Sequence, residues 1–155
     1  RIKIGLVLFK NCKVVIATGG FDPIHSGHIK YFEEAKKLGD YLIVGVNSDD
    51  WLINKKGKFF LNLEERIIII KSFKMVDDVI SWDDSDGTAV GAIELVLKNY
   101  PTENIIFANG GDRTKDNIPE QTKFISHKNI EFVFGVGGNK KINSSSWILN
   151  SWLKR

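Results

Sequence analysis

From Lys13 to Thr18 the chain reads KVVIAT, an unbroken β-branched run with no polar alternation. Such a run suits a strand covered on both faces, and the Gly19-Gly20 pair ends it. The period then changes: His28, Tyr31, Phe32, Ala35 and Leu38 fall on one helical stripe, with Gly39 placed as a C-terminal cap. Tyr41–Val46 (YLIVGV) reads as a second buried strand, and Asn47-Ser48-Asp49-Asp50 as the polar stop at its carboxyl end. The basic segment 54–58 reads as a loop. Asn62 then caps a helix that turns Leu63, Ile67, Ile70 and Phe73 inward, so the isoleucines at 67–70 belong to a buried segment. A third strand is expected over Val76–Ser81. A helix carrying Val90, Ile93 and Leu97 runs to Tyr100, where Pro101 stops it. A fourth strand over Asn104–Ala108, a short helix after Pro119, a fifth strand over Glu131–Phe134 and a last helix from about Ser144 complete the series.

Strands alternating with helices at these lengths predict an α/β fold: a single-domain, Rossmann-like, doubly wound parallel sheet of about five strands with helices on both faces. The 155 residues, 43% of them hydrophobic, suffice for one such domain over 13–155, preceded by an arm or extra strand over 1–12. Ile2–Phe9 is apolar but too short for a signal peptide and has no small-residue cleavage site. No run reaches the roughly 20 apolar residues that a membrane helix needs, so no membrane role is expected. With 22 basic and 19 acidic residues, the net charge of +3 is too balanced to point to nucleic acid. Cys12 is the sole cysteine, which excludes an internal disulfide and fits a reducing cytoplasm; with three histidines it makes no zinc spacing, so no protein-held metal is expected.

In a parallel sheet, ligands bind at the carboxyl ends of the strands. Residues 19–28, 47–58, 109–113 and 137–146 all follow predicted strands and should converge on one rim. The densest signal is Gly19-Gly20-Phe21-Asp22-Pro23-Ile24-His25-Ser26-Gly27-His28. Its glycines allow backbone N–H groups to approach an anion, and the helix starting near Gly27 adds its positive end. His25 and His28 lie three apart, so both imidazoles can face one group of phosphate oxygens and stabilise charge there without acting as bases. The bland alternative is that the pair only caps a helix. Lys55, Lys56, Lys58 and Arg66 are either a solvated surface run or the neutralising charge for phosphate groups bound at the rim. Ser144, Ser145 and Ser146 precede the apolar Trp147-Ile148-Leu149 and suit a helix cap that also holds phosphate. Trp51 and Trp82 are candidates to wall a base or acceptor pocket.

GGFDPIHSGH resembles the HxGH signature of the cytidylyltransferase-like nucleotidyltransferases. Residues 29–50, the LEER segment ending at Arg66 and the NGGD at 109–112 are similar to glycerol-3-phosphate cytidylyltransferases and to the adenylyltransferase domain of ADP-heptose synthesis enzymes. The resemblance covers nearly everything from residue 13 onward. It implies transfer of NMP from ATP or CTP to a phosphorylated sugar or alcohol, with pyrophosphate released and Mg²⁺ arriving with the NTP. It implies His25, His28, Lys55 and Lys58 as catalytic, and Lys56 and Arg66 as acceptor-binding. Gly19, Gly20, Phe21, Asp22, Gly27, Gly110, Asp112, Arg113 and Ser144–Ser146 would contact the nucleotide, Asp22 also holding the first loop or lying near the Mg²⁺. A homodimer is expected by the same analogy. One departure weakens CTP, since the stretch Phe134–Lys141 has no arginine where the cytidylyltransferases hold cytosine, and the Gly-Gly of NGGD points toward ATP.

A non-catalytic nucleotide binder on the same fold is the main alternative, although the GxGxxG fingerprint is missing at the first turn and Asp49 is its sole acidic support. A truncated tRNA synthetase-like protein is disfavoured, since the chain has no room for an anticodon-binding domain.

Overall fold

The computed structural model describes residues 12–111, 113, 118–138 and 144–154. The expected arm at 1–12 lies outside them except for Cys12, which is buried. Along the chain run β1 (Lys13–Gly19), α1 (Ser26–Lys36), β2 (Tyr41–Val46), α2 (Asp49–Lys56), α3 (Leu63–Lys71) and β3 (Asp78–Ile80). There follow α4 (Val90–Asn99), β4 (Asn104–Gly110), α5 (Pro119–Phe124), β5 (Ile130–Val136) and α6 (Ser145–Leu153). The strands form one sheet in the order β3-β2-β1-β4-β5, every pair parallel, as the sequence predicts.

Period-two alternation sends successive side chains of the central strands to opposite faces, and both faces are dry. Val15 and Ala17 of β1 pack with Phe32 and Ala35 of α1 and Ile70 of α3. Val14 and Ile16 pack on the other side with Ala92, Ile93 and Val96 of α4 and Phe124 of α5. Of the four isoleucines, Ile70 is fully buried whereas Ile68 is 56% exposed, because a helix turns only one stripe inward. The last helix, α6, buries none of its residues.

Two local expectations need correction. The basic segment 54–58 is not a loop up to Lys56 but the end of α2. Ser48, read as a strand stop, is its N-cap, with Oγ accepting from Trp51 N at 3.0 Å. Asp49 and Asp50 in the first turn and Lys55 and Lys56 in the last both complement the helix dipole, and Gly57 (φ +90°) ends the helix in the left-handed conformation. Nor is Gly39 a cap: α1 ends through Lys37, and a Cβ on Gly39 would stand 2.7 Å from the Lys13 carbonyl oxygen. That glycine is required by the close approach of the α1–β2 turn to β1.

Ser48 also donates its hydroxyl to Asp84 at 2.7 Å and so ties α2 to the β3–α4 connection. Ser48→Ala should therefore cost about 1 kcal/mol or more. A urea midpoint equal to that of the wild type would refute this role.

Candidate active site

All four segments expected at the rim contribute residues to one cavity of about 440 Å³. Gly19, Gly20, His25, Gly27 and His28 come from the β1–α1 turn, and Trp51, Lys55 and Lys56 from α2. Gly110 and Arg113 follow β4, Gly137 and Gly138 follow β5, and Ser144–Ser146 open α6. A second cavity of about 460 Å³ adjoins it, sharing Thr18, Gly19, Gly20, Trp51, Lys55 and Arg113.

His25 is the N-cap of α1, so capping and cavity lining are not alternatives here. Its Nδ1 accepts from Gly27 N at 3.0 Å, and His28 Nδ1 accepts from His25 N at 3.2 Å. Each neutral ring therefore carries its proton on Nε2. The rings lie 3.8 Å apart between centroids, tilted by 31°. The Phe21 ring stands edge-on to His28 at 5.0 Å, and Phe21 itself takes φ +52°, an unusual conformation for a bulky residue. Burial, reinforced by His25 and Lys56, lowers the His28 pKa to about 3. His28 thus presents a neutral N–H donor rather than a cation.

Gly19 and Gly20 line the cavity and are also required by packing within the protein. A Cβ on Gly20 would stand 2.8 Å from the Leu52 side chain, and one on Gly19 2.9 Å from the Phe21 ring. The space is filled by protein. Gly137 (φ +86°) lies against the Tyr31 backbone, and Tyr31, which lines the cavity, donates its hydroxyl to the Ala108 carbonyl at 2.5 Å. Burial raises the Tyr31 pKa and keeps the phenol protonated.

Asp22 holds the loop, as one of its two expected roles. Its carboxylate is 2% exposed and accepts from Phe60 N at 2.6 Å and Leu61 N at 2.7 Å. Among the described residues no cluster of three His, Cys, Asp or Glu side chains could hold a metal.

The basic residues separate. Lys55 lines both cavities, its ammonium 4.6 Å from the Trp51 ring centroid. Lys56 lines only the first and donates to the Asp22 carbonyl at 2.5 Å; burial lowers its pKa, partly opposed by Asp22. Lys58, expected to be catalytic, is exposed beyond α2 and lines neither cavity. Arg66, expected to hold the acceptor phosphate, is 1% exposed and lines neither. Its Nε donates to Leu61 O, Nη1 to Gly20 O and Asn47 O, and Nη2 to Asp49, all between 2.7 and 2.9 Å. It is an internal brace that ties the ends of β1 and β2 to α2 and α3.

Ser144 caps α6 by accepting from Trp147 N at 3.3 Å, and Ser145 donates to the Pro23 carbonyl at 2.8 Å, which docks the α6 start on the histidine loop. Asp112 lies outside the described residues. Sequence reasoning missed Tyr31, Asn109 and Glu120 as parts of the site. Tyr31 was hidden in an apolar stripe; the available signal for Glu120 was an acid directly after Pro119, where a helix start favours one.

Two outcomes follow from these environments. Arg66→Met, which leaves three carbonyls and Asp49 without their donor, should destabilise the fold by about 3–5 kcal/mol in urea titration. A stable variant with only weakened acceptor binding would restore the expected role. Because the His28 pKa is lower in the folded state than in the unfolded one, the unfolded chain takes up the extra proton. The stability that His28 contributes is complete above about pH 6.5 and lost as pH falls toward 3. His28→Gln should flatten that part of the stability profile, and an unchanged slope would contradict the assignment.

The sequence model of the cytidylyltransferase-like family matches residues 16–139. The bifunctional protein HldE of Haemophilus influenzae (strain PittEE) is 40% identical over 112 residues, 64% of this chain and 24% of that protein. Glycerol-3-phosphate cytidylyltransferase of Bacillus subtilis (strain 168) is 44% identical over 74 residues, 46% of this chain and 57% of that one. The chain thus spans about a quarter of the length of the HldE relative it matches. Among solved structures, the lipopolysaccharide core biosynthesis protein of Thermoplasma volcanium GSS1 superposes with a TM-score of 0.66 at 28% identity, covering 84% of this chain and all of that one. The family match runs from within β1 to just beyond β5 and takes in both histidines, so the chain belongs to the cytidylyltransferase-like family.

Proposed function

We propose that this chain transfers the NMP part of an NTP to a phosphorylated sugar or alcohol. A phosphate oxygen of the acceptor attacks the α-phosphorus in line, the bond to the bridging β-phosphate oxygen breaks, and pyrophosphate leaves. The observation that carries this reading is the pair of stacked imidazoles at the α1 start, each with Nδ1 engaged by backbone N–H. Such donors, fixed before substrate arrives, stabilise charge on a crowded phosphorus without reorganising.

Lys55, Lys56 and Arg113 supply positive charge around the same cavity. Ser144–Ser146 open α6, where N–H groups and the helix dipole suit the leaving pyrophosphate. Mg²⁺ belongs to the substrate, held by phosphate oxygens and water. Gly110 and Asp112 complete the nucleotide side of the proposal, with ATP or CTP as donor, CTP weakened by the missing arginine after β5 and ATP favoured by the Gly-Gly of NGGD. Homodimerisation belongs to the same proposal, supported by Trp147, Trp152 and Leu153, each more than half exposed on α6. A cytoplasmic setting, proposed with it, rests on the single, buried thiol of Cys12.

Four NTPs assayed against sugar phosphates and glycerol 3-phosphate should release pyrophosphate only when a phosphorylated acceptor is present. His25→Asn keeps a capping oxygen but removes the Nε2–H donor, and should lower kcat about 10²–10³-fold with little change in NTP affinity. Nucleotide binding without pyrophosphate release from any pair would leave a non-catalytic nucleotide binder instead.

A further inference from the structure

We infer that Arg113, braced by the buried Glu120, receives the acceptor's phosphate, and that the second cavity receives the acceptor's carbon skeleton. The inference rests on the nucleotidyl transfer proposed above and concerns the half of the reaction that Arg66 no longer explains.

In-line displacement puts the attacking oxygen and the leaving group on opposite sides of the α-phosphorus. The first cavity contains the histidines and the α6 start; the second contains neither. An acceptor entering by the second cavity therefore reaches phosphorus from the side away from Ser144–Ser146. Its phosphate must stop at the junction of the two, and the cations that line both are Lys55 and Arg113.

They differ in how firmly they are held. Lys55 sits on a flexible stem over Trp51. Arg113 has its backbone N–H on the Gly110 carbonyl at 3.4 Å and its Nη2 on Glu120 Oε1 at 3.1 Å. Glu120 is 1% exposed, and its second oxygen accepts from Ala89 N at 2.7 Å at the start of α4. The brace therefore connects β4, α5 and α4. The Arg113 side chain is 38% exposed and its bond to Glu120 uses one N–H of five, in the planar fork that matches a phosphate.

The remaining lining describes the rest of the acceptor. Trp51 and Trp82 form apolar walls, and the Trp82 indole N–H is already engaged with the Thr88 carbonyl at 3.0 Å. Asn47 and Thr88 add a few polar atoms. A volume of about 460 Å³ admits a sugar or polyol phosphate.

The test reads binding rather than turnover, so it is independent of whether the right acceptor is found for the pyrophosphate assay. Inorganic phosphate and glycerol 3-phosphate are titrated against the Trp82 indole N–H signal in ¹H–¹⁵N spectra, with the first cavity filled by a non-hydrolysable ATP or CTP analogue. Both ligands should shift that signal, and Arg113→Gln should raise their Kd at least about tenfold and by a larger factor than it raises the Kd of the analogue. The double variant R113Q/E120Q, which leaves no unpaired buried carboxylate, should lose phosphate binding equally. Absence of phosphate binding in the wild type, its displacement by the analogue, or an Arg113→Gln variant that loses the analogue rather than phosphate would overturn the inference.

Discussion

A helix leaves its first N–H groups without partners, and at the start of α1 those groups meet imidazole nitrogens instead of the usual hydroxyl or carboxylate. That single exchange sets the chemistry of the site. An aspartate cap would satisfy the backbone equally well but would set a negative charge, with no N–H donor, against a phosphate. An imidazole accepts with Nδ1 and still has a second nitrogen. Because the backbone bonds occupy Nδ1 on both rings, the protons are placed on Nε2 by the fold rather than by the ligand. Burial keeps His28 neutral, and two neutral rings can stack at 3.8 Å where two cations would repel.

The surrounding charges divide into those that build the site and those that face it. Asp22 and Arg66 carry full charges and are almost wholly buried, yet both are used on backbone groups. Asp22 accepts N–H groups of the turn before α3, and Arg66 donates to carbonyls at the ends of β1 and β2. A buried charge is tolerated only when its hydrogen-bonding capacity is filled, which is why neither is left for a ligand. Lys55, Lys56 and Arg113 stay partly exposed around the cavities and supply the field that polyphosphates need.

Much of this was legible in the sequence. Lys13–Thr18 and Tyr41–Val46 are continuous runs rich in β-branched residues that suit a sheet covered on both faces, and their alternation with helices implied that the sheet is parallel. The histidine loop was legible because its residues are local: Gly27, His25 and His28 interact within a few positions. The fate of Arg66 was not, because its partners Gly20 and Asn47 come from other elements and become neighbours only when β1 and β2 pair. The helix at 49–56 was misread for a different reason. Ser48-Asp49-Asp50 is equally good as a strand stop and as a helix start, and the lysines that suggested a loop are the favourable charges for a helix end. Glu120 was hidden because its function depends on Arg113 and Ala89, which the sheet brings together from both sides.

Charge stabilisation at this site depends most on the protonation of the two rings, and ¹⁵N spectra of the histidine side chains read it directly. Both His25 and His28 should show neutral rings protonated on Nε2 at pH 7, with His28 unprotonated at Nδ1 down to about pH 5, and the Nε2 signals should move when an NTP analogue binds. An Nδ1-protonated ring, a His28 that titrates near the ordinary histidine value, or Nε2 signals indifferent to nucleotide would contradict it.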